Sequence, residues 1–211
     1  MFDLVKSFDF SSLVTKRDET LACRDIDAII DAGMWGRSNP RFQTNANVFD
    51  EFNDKEWKEH WAKLAHTFYA SCHMYAQKYL PMHSYRSWGM KTNASCEYRE
   101  RWVLWHNHTD KNEKSLSGIY YLKIPDSYDL KTAGTEFVLR TREKAEEFKD
   151  AEPDFTVEPK LGHWHIWPSH LYHRPVVPHG EEWRYIVSAD YVFDIDTSGF
   201  ILNTEMPRWE I

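Results

Sequence analysis

Histidines with a nearby carboxylate are the residues of this sequence whose types and spacing could bind a metal ion. Five of the 11 histidines lie between Gly162 and Ser188, and residues 105–110 read W-H-N-H-T-D. His108 and Asp110 are two residues apart, so at the end of a strand both side chains would project to the same side. We therefore predict that these two regions contribute ligands to one metal centre.

A third histidine, His173, completes a ligand set of two imidazoles and one carboxylate. Such a set occupies one face of an octahedral Fe(II) ion and leaves three positions for a bidentate oxoacid and O2. Arg184 follows eleven residues after His173, and its planar guanidinium can hold a carboxylate with two hydrogen bonds. On a strand, Ser188 would lie on the same face as a second donor. These residues favour an iron site that takes an oxoacid cosubstrate.

The motifs that contain these residues resemble those of the prolyl 4-hydroxylase-like branch of the Fe(II)/2-oxoglutarate-dependent oxygenases. In chain order they are H-T-D, S-G-I-Y-Y-L, A-G-T-E-F, W-P-S-H-L-Y-H-R-P-V-V-P and W-R-Y-I-V-S-A-D-Y-V-F-D, within roughly residues 97–194. The resemblance implies that His108, Asp110 and His173 bind the iron. It also implies that Arg184 binds the distal carboxylate of 2-oxoglutarate.

Further residues, a fold and a reaction follow from the same resemblance. Tyr121 would hydrogen-bond the 2-oxoglutarate carboxylate, and Tyr98 matches a cosubstrate-binding tyrosine on the strand before H-T-D. The implied fold is α+β, a cupin-like double-stranded β-helix, or jelly roll, with supporting N-terminal helices. The implied reaction uses Fe(II), 2-oxoglutarate and O2 to hydroxylate an unidentified small molecule or protein side chain, with release of succinate and CO2. The sequence departs from the family at Ala133-Gly134, where two glycines are usual.

Three other interpretations of these residues stay open. A cupin-like site that needs no 2-oxoglutarate would use as ligands His106, His108, Glu113 and His173. Arg184 argues against it, because a cupin has no use for an arginine aimed at a carboxylate. A non-catalytic module could instead bind a protein or a sugar through an aromatic face. Zinc hydrolysis through His163 and His165 is a weaker hypothesis, because on a strand these side chains flank the packed Trp164.

Helices precede strands in the predicted element order. Apolar residues at helical spacing predict a helix over residues 17–32 and a longer one over residues 54–79 that backs a sheet. The period then changes to two, which predicts strands at residues 84–91, 97–108, 116–124, 136–140, 162–167 and 183–193. We predict a strand or arm within residues 1–16, and a solvated helix and loop over the charge-dense residues 141–160. The chain is expected to be one domain, helical over residues 1–82 and a β core over 83–211.

Composition limits the partners and the compartment. The formal net charge of −7 argues against a broad nucleic-acid-binding face, so we do not expect duplex nucleic acid as a partner. Three cysteines without close spacing make a disulfide framework improbable and favour a reducing compartment. No apolar run reaches the roughly 18 residues of a membrane span, so we expect a cytoplasmic protein without a membrane partner. Three tryptophans are predicted near the mouth of the pocket: Trp88, Trp105 and Trp167.

Overall fold

Three helices and eight strands make up the part of the chain that the structure describes. This computed structural model describes residues 4–33, 42–44, 47–52, 57–80, 82–95, 105–108, 114–128, 133–139, 150–176 and 180–193. The helices are α1 (Lys16–Asp31), α2 (Val48–Asp50) and α3 (Glu59–Ala76). The strands are β1 (Lys6–Asp9), β2 (Met82–Thr92), β3 (Lys114–Lys123), β4 (Thr135–Val138), β5 (Phe155–Val157), β6 (His163–Pro168), β7 (Tyr172–Pro175) and β8 (Arg184–Phe193).

The strands form two antiparallel sheets. The larger sheet has the order β1-β6-β3-β8-β2, and the smaller one has the order β5-β4-β7. Apolar side chains from both sheets meet in one buried cluster that includes Ile119, Ile186 and Trp167 of the larger sheet and Phe137 of the smaller one. Helices α1 and α3 contact the larger sheet. The architecture is therefore the predicted double-stranded β-helix with supporting helices.

The larger sheet has two chemically different faces because successive side chains of a strand point to opposite sides. Alternate residues of β3 and β8 pack with the helices in the main apolar core: Leu116, Tyr120, Leu122, Tyr185, Val187, Ala189 and Tyr191. Gly118 allows the close approach of α3, since a Cβ atom there would lie 2.7 Å from Ile166 and 2.9 Å from Phe68. The residues between these positions face the smaller sheet.

Helix α1 begins and ends within one residue of its predicted limits. Thr15 caps it: the side chain accepts a hydrogen bond from the Asp18 backbone N–H, and the Asp18 carboxylate accepts one from the Thr15 backbone N–H. Gly33, just beyond the end, has a φ of +74°.

Helix α3 is shorter than predicted. It begins at Glu59, and it ends before Gln77, which has a left-handed conformation with a φ of +55°. Trp57 and Tyr79 lie within the predicted range of this helix, but they are outside the observed one and are 66% and 72% exposed. Their apolar periodicity alone could not distinguish a packed residue from an exposed one beyond the helix end.

Five of the six predicted strands correspond to β2, β3, β4, β6 and β8, with shifted ends. The sixth, at residues 97–108, lies outside the described residues except at 105–108, where His106 forms a bridge with His173. Strand β1 confirms the predicted N-terminal strand and pairs with β6. The short strand β7, which carries His173, was not among the predicted strands.

The prediction of only helix and loop over residues 141–160 was wrong at its C-terminal end. Strand β5 pairs there with β4, and Phe155 stacks on Phe137 at 5.0 Å between ring centroids. Burial of this aromatic pair at the edge of the smaller sheet outweighs the local charge density. None of the described helices is long and apolar enough to cross a membrane.

Candidate active site

Three histidines converge at the edge of the two sheets. The potential ligand atoms of His106, His108 and His173 all lie within 4.8 Å of one another. His106 and His173 are directly opposite in an antiparallel bridge, and each backbone N–H donates to the other's carbonyl, at 3.1 and 2.9 Å. Directly opposite residues of an antiparallel pair place their side chains on the same face. His108 lies two residues beyond His106 and therefore reaches the same side.

Hydrogen bonds orient two of these imidazoles. Nδ1 of His173 lies 3.0 Å from the Leu171 carbonyl oxygen, and Nδ1 of His108 lies 2.8 Å from a carboxylate oxygen of Asp190. A carbonyl or a carboxylate oxygen can only accept, so each Nδ1 carries the proton. The Nε2 atom of each ring keeps its lone pair for a metal ion, which is the usual arrangement of metal-binding histidines.

Burial lowers the pKa of His173 well below its usual value, and the neighbouring His106 and His108 act in the same direction. A neutral imidazole is the form that binds a metal. Aromatic rings surround the cluster: Trp167 and Phe137 lie 5.0 and 5.8 Å from the His173 ring, between centroids. The cluster therefore lies in an apolar environment that favours the ligand form of His173.

Of the three tryptophans predicted at the pocket mouth, two contact the cluster. Trp167 packs against His173, and Trp88 lies 5.3 Å from His108 between ring centroids. Trp105 is buried in a separate apolar contact with Val138, and the Arg174 guanidinium lies 4.2 Å from the centre of its ring. Trp88 and Trp167 are thus the aromatic walls beside the histidines.

Arg184 lies at the start of β8 and is only 2% exposed. Its Nε donates to the Thr92 hydroxyl at 3.1 Å, and its Nη1 donates to the Ala133 carbonyl at 2.7 Å. Among the described residues, no carboxylate forms an ion pair with this guanidinium. A buried cation gains stability from a counterion, so this guanidinium is suited to bind an anion.

Tyr121 lies close enough to Arg184 for the guanidinium charge to affect its phenol. Burial raises the pKa of Tyr121, with the positive charge of Arg184 opposing the rise, so the hydroxyl is protonated at neutral pH. This hydroxyl lies 2.9 Å from the Thr135 hydroxyl. Ser188 is on the same face of β8 as Arg184 and is nearly buried opposite Trp88. The interior thus holds hydroxyl groups beside the Arg184 guanidinium.

A family model of 2OG-Fe(II) oxygenases matches residues 86–190, a range that contains the three histidines, Arg184 and Tyr121. The chain is an Fe(II)/2-oxoglutarate-dependent oxygenase. No curated protein matches the sequence.

Solved structures share the fold of this oxygenase at low sequence identity. AviO1 from Streptomyces viridochromogenes Tue57 is 13% identical with a TM-score of 0.64, and the match covers 90% of each chain. A Pseudomonas putida prolyl-4-hydroxylase is 12% identical with a TM-score of 0.57, over 90% of this chain and 93% of that chain. HygX from Streptomyces hygroscopicus, solved with nickel and 2-oxoglutarate, is 14% identical with a TM-score of 0.57, over 91% and 83%. These matches support the double-stranded β-helix.

The donor groups of this oxygenase fit its cofactor and cosubstrate. Imidazole nitrogens suit Fe(II), and Fe(II) in this family also takes 2-oxoglutarate and O2. The buried guanidinium of Arg184 fits a carboxylate, and the nearby Tyr121 hydroxyl is a further donor.

Three predicted residues lie outside the described part of the chain: Asp110, Tyr98 and Glu113. Of the predicted site residues that are described, His108 and His173 lie together, and Tyr121 lies near Arg184. His106 was predicted only as a ligand of the cupin-like alternative. Asp190, Thr92 and Thr135 were not predicted as site residues. The H-x-H spacing of residues 106–108 was an available signal for His106, since it equals the H-x-D spacing.

Proposed function

We propose that this oxygenase hydroxylates a small molecule or a protein side chain. One 2-oxoglutarate and one O2 would be consumed for each C–H bond converted to C–OH, with one succinate and one CO2 released. The observation that supports this proposal is the presence in one interior of a histidine cluster and of Arg184, a buried cation that no described carboxylate neutralises. Bound iron supplies the activation of O2 that C–H oxidation requires.

His108 and His173 are two of the proposed iron ligands. Their Nδ1 atoms are occupied by Asp190 and the Leu171 carbonyl, so both would bind through Nε2. Asp110, two residues after His108, is the third ligand that the sequence predicts.

Arg184 is the proposed partner of the distal carboxylate of 2-oxoglutarate. Thr92 and Ala133 hold its guanidinium in place, so little entropy is lost when the anion binds. The Tyr121 hydroxyl would add a hydrogen bond from the neighbouring strand, and Ser188 and Tyr98 remain proposed donors for the same cosubstrate. Exclusion of water by the surrounding apolar side chains would strengthen these contacts.

We also propose that the protein works in the cytoplasm. Cys23 and Cys72 are free thiols among the described residues, and burial raises the pKa of the Cys23 thiol to about 12. Such a thiol resists oxidation and is compatible with a reducing compartment.

Succinate formation tests the function and separates the two substrate classes. Purified protein with Fe(II), 2-oxoglutarate and air should form succinate slowly, and a chelator should abolish this reaction. A cell extract divided by ultrafiltration into small molecules and proteins should raise the rate with one fraction and not with the other. Absence of succinate with both fractions, in protein that retains iron, would contradict the proposed activity.

A further inference from the structure

We infer that Asp190 is a positioning residue for the proposed iron ligand His108, and that Arg86 orients its carboxylate for this role. The inference rests on the proposed function, because His108 acts there as an iron ligand. It concerns which nitrogen of His108 is free to bind the metal, and it leaves Asp110 as the predicted carboxylate ligand.

Three adjacent strands of the larger sheet place Asp190 beside its partners. Asp190 on β8 lies directly opposite Arg86 of β2 and directly opposite Ser117 of β3. Directly opposite residues lie on the same face of a sheet, so the three side chains form a row. Asp190 is only 1% exposed, whereas the Arg86 side chain, on the edge strand, is 54% exposed. The row therefore leads from solvent to a buried carboxylate.

The Asp190 carboxylate accepts from three groups. One oxygen lies 2.8 Å from His108 Nδ1 and 2.7 Å from the Ser117 hydroxyl, and the other lies 3.2 Å from Arg86 Nη2. The same Nη2 donates to the backbone carbonyl of His108 at 2.8 Å. Arg86 therefore ties the carboxylate and the histidine to one side chain.

The carboxylate determines how His108 can bind a metal. Its oxygen only accepts, so Nδ1 of His108 carries the proton and Nε2 keeps the lone pair. Its negative charge also raises the basicity of the imidazole. His173 has a neutral partner instead, the Leu171 carbonyl at 3.0 Å. A single substitution can thus change the partner of His108, whereas the partner of His173 belongs to the backbone.

Replacement of the carboxylate by an amide should turn His108 against metal binding. In Asp190→Asn, the NH2 group must face either Arg86 or the pair of His108 and Ser117. Arg86 is always protonated and cannot accept, whereas the Ser117 hydroxyl can. The NH2 group should therefore donate to His108 Nδ1, which moves the ring proton to Nε2. We expect the Fe(II) affinity of this variant to fall about 10- to 100-fold.

A second substitution should restore part of this affinity. In Asp190→Asn combined with Arg86→Gln, the amide at position 86 can accept from the NH2 group, so His108 can again donate from Nδ1. Anaerobic titration should show that the double variant binds Fe(II) at least about fivefold more tightly than Asp190→Asn. Arg86→Gln alone should stay within about fivefold of wild type, because a half-exposed ion pair contributes little.

The rescue separates positioning from support of the fold. If the contacts of Asp190 only stabilised the protein, removal of a second contact would not restore metal binding. Affinity in the folded double variant that is no tighter than in Asp190→Asn would overturn the inference. Wild-type affinity in Asp190→Asn would also overturn it.

Asp25→Asn is the matched control. The Asp25 carboxylate likewise accepts from a histidine, at 2.8 Å from His60 Nε2, and also from Trp61 Nε1 at 2.9 Å. Both partners belong to the helical layer, so this variant should be less stable and bind Fe(II) as wild type does. An equal loss of Fe(II) affinity in Asp25→Asn and Asp190→Asn would reflect general destabilisation and contradict the inference.

A wild-type measurement makes the test independent of how the variants fold. Zn(II) is diamagnetic and binds imidazole nitrogen, so Zn(II)-loaded protein with ¹⁵N-labelled histidine is suited to NMR. His108, identified by the signals that disappear in His108→Gln, should be protonated at Nδ1 and bound to the metal at Nε2. Metal at Nδ1 would overturn the inference.

Failure of the proposed function would look different. Wild-type protein that binds Fe(II) with the expected order of affinities but forms no complex with 2-oxoglutarate would contradict the oxoacid chemistry and leave the role of Asp190 intact. A 2-oxoglutarate complex together with wild-type Fe(II) affinity in Asp190→Asn would contradict the role of Asp190 alone.

Discussion

The two faces of the larger sheet have different roles. One face packs against the helices, and the other carries residues of the candidate site, so neighbouring residues of one strand differ in role. On β3, Tyr120 points toward the helices and hydrogen-bonds Glu19, while Tyr121 points toward the smaller sheet and the Arg184 guanidinium. On β8, Tyr185 hydrogen-bonds Asp27 of α1, while the preceding Arg184 faces the interior and has no carboxylate partner among the described residues. One strand can therefore serve both purposes because its side chains alternate.

This division means that substitutions one residue apart should have different consequences. A change on the helix-facing side removes packing and should lower the free energy of unfolding. A change on the interior side removes a metal ligand or a hydrogen-bond donor and should weaken the binding of iron or of 2-oxoglutarate. Pairs of variants, one at a helix-facing residue and one at an interior residue, can therefore test whether the two sides have separate roles.

The largest contrast is expected between His173 and Trp164. His173→Gln should abolish Fe(II) binding and succinate formation, because it removes a buried ligand from the cluster. Trp164 is fully buried and lies 4.9 Å from Phe68 between ring centroids. Trp164→Leu should therefore lower the free energy of unfolding by about 2–4 kcal/mol and leave the affinity for Fe(II) unchanged. Denaturant titration and metal titration of both variants measure the contrast. Normal Fe(II) binding by His173→Gln would contradict the role of His173 as a ligand.

Arg184 and Tyr185 form the next pair. Arg184→Gln should raise the KM for 2-oxoglutarate by about 100- to 1,000-fold, since two charge-assisted hydrogen bonds to a carboxylate are lost. Tyr185→Phe should leave that KM unchanged and cost about 1 kcal/mol of stability through its lost hydrogen bond to Asp27. Initial rates of succinate formation over a range of 2-oxoglutarate concentrations measure the difference. Equal KM values for the two variants would contradict the role of Arg184.

His165 should make the folded state sensitive to acid. Burial lowers the pKa of His165 from 6.5 to about 4, so between these values the unfolded chain binds a proton that the folded chain does not. Stability should therefore fall as the pH falls from 6.5 to 4, by up to about 3 kcal/mol from this residue, and should be unaffected by it above pH 6.5.

Urea denaturation of wild type and His165→Gln across this pH range isolates the contribution, because other buried histidines act in both proteins. His163→Gln, on the same strand face but partly exposed, is the control. Parallel stability profiles of wild type and His165→Gln would show that His165 is not the group responsible.

The smallest effects are expected for the tyrosine pair of β3. Tyr121→Phe should raise the KM for 2-oxoglutarate about fivefold, because one neutral hydrogen bond is lost and the apolar ring is kept. Tyr120→Phe should leave this KM unchanged and destabilise the fold by about 1–2 kcal/mol, since it removes a donor from the buried Glu19 carboxylate. The reverse pattern in kinetics and denaturation would show that the two faces are not separated.

Long periodic segments made most of the fold predictable from the sequence. The alternation along residues 116–124 and 183–193 identifies β3 and β8, and the helical spacing of apolar residues over 17–32 identifies α1. Strand β5 was not predictable, because its stability comes from the distant ring of Phe137 rather than from its own charge-dense sequence. The limits of α3 likewise depend on tertiary packing, which periodicity does not report.

Part of the site was predictable for a similar reason. Arg184 and Tyr121 follow from motifs with a fixed place on a strand, and both lie in the interior. His106 was predicted only for the cupin-like alternative, because its place beside His173 depends on a pairing between segments far apart in the sequence. Asp190 was missed because its contact with His108 joins residues 82 positions apart.

One spectroscopic measurement tests most directly whether the interior face binds both iron and 2-oxoglutarate. Anaerobic addition of Fe(II) and then 2-oxoglutarate to the wild-type protein should produce the weak visible charge-transfer band of the chelate. The band should appear in Tyr185→Phe at the same 2-oxoglutarate concentration and only at much higher concentration in Arg184→Gln. Absence of the band in wild-type protein that has bound iron would contradict the binding of 2-oxoglutarate to that iron.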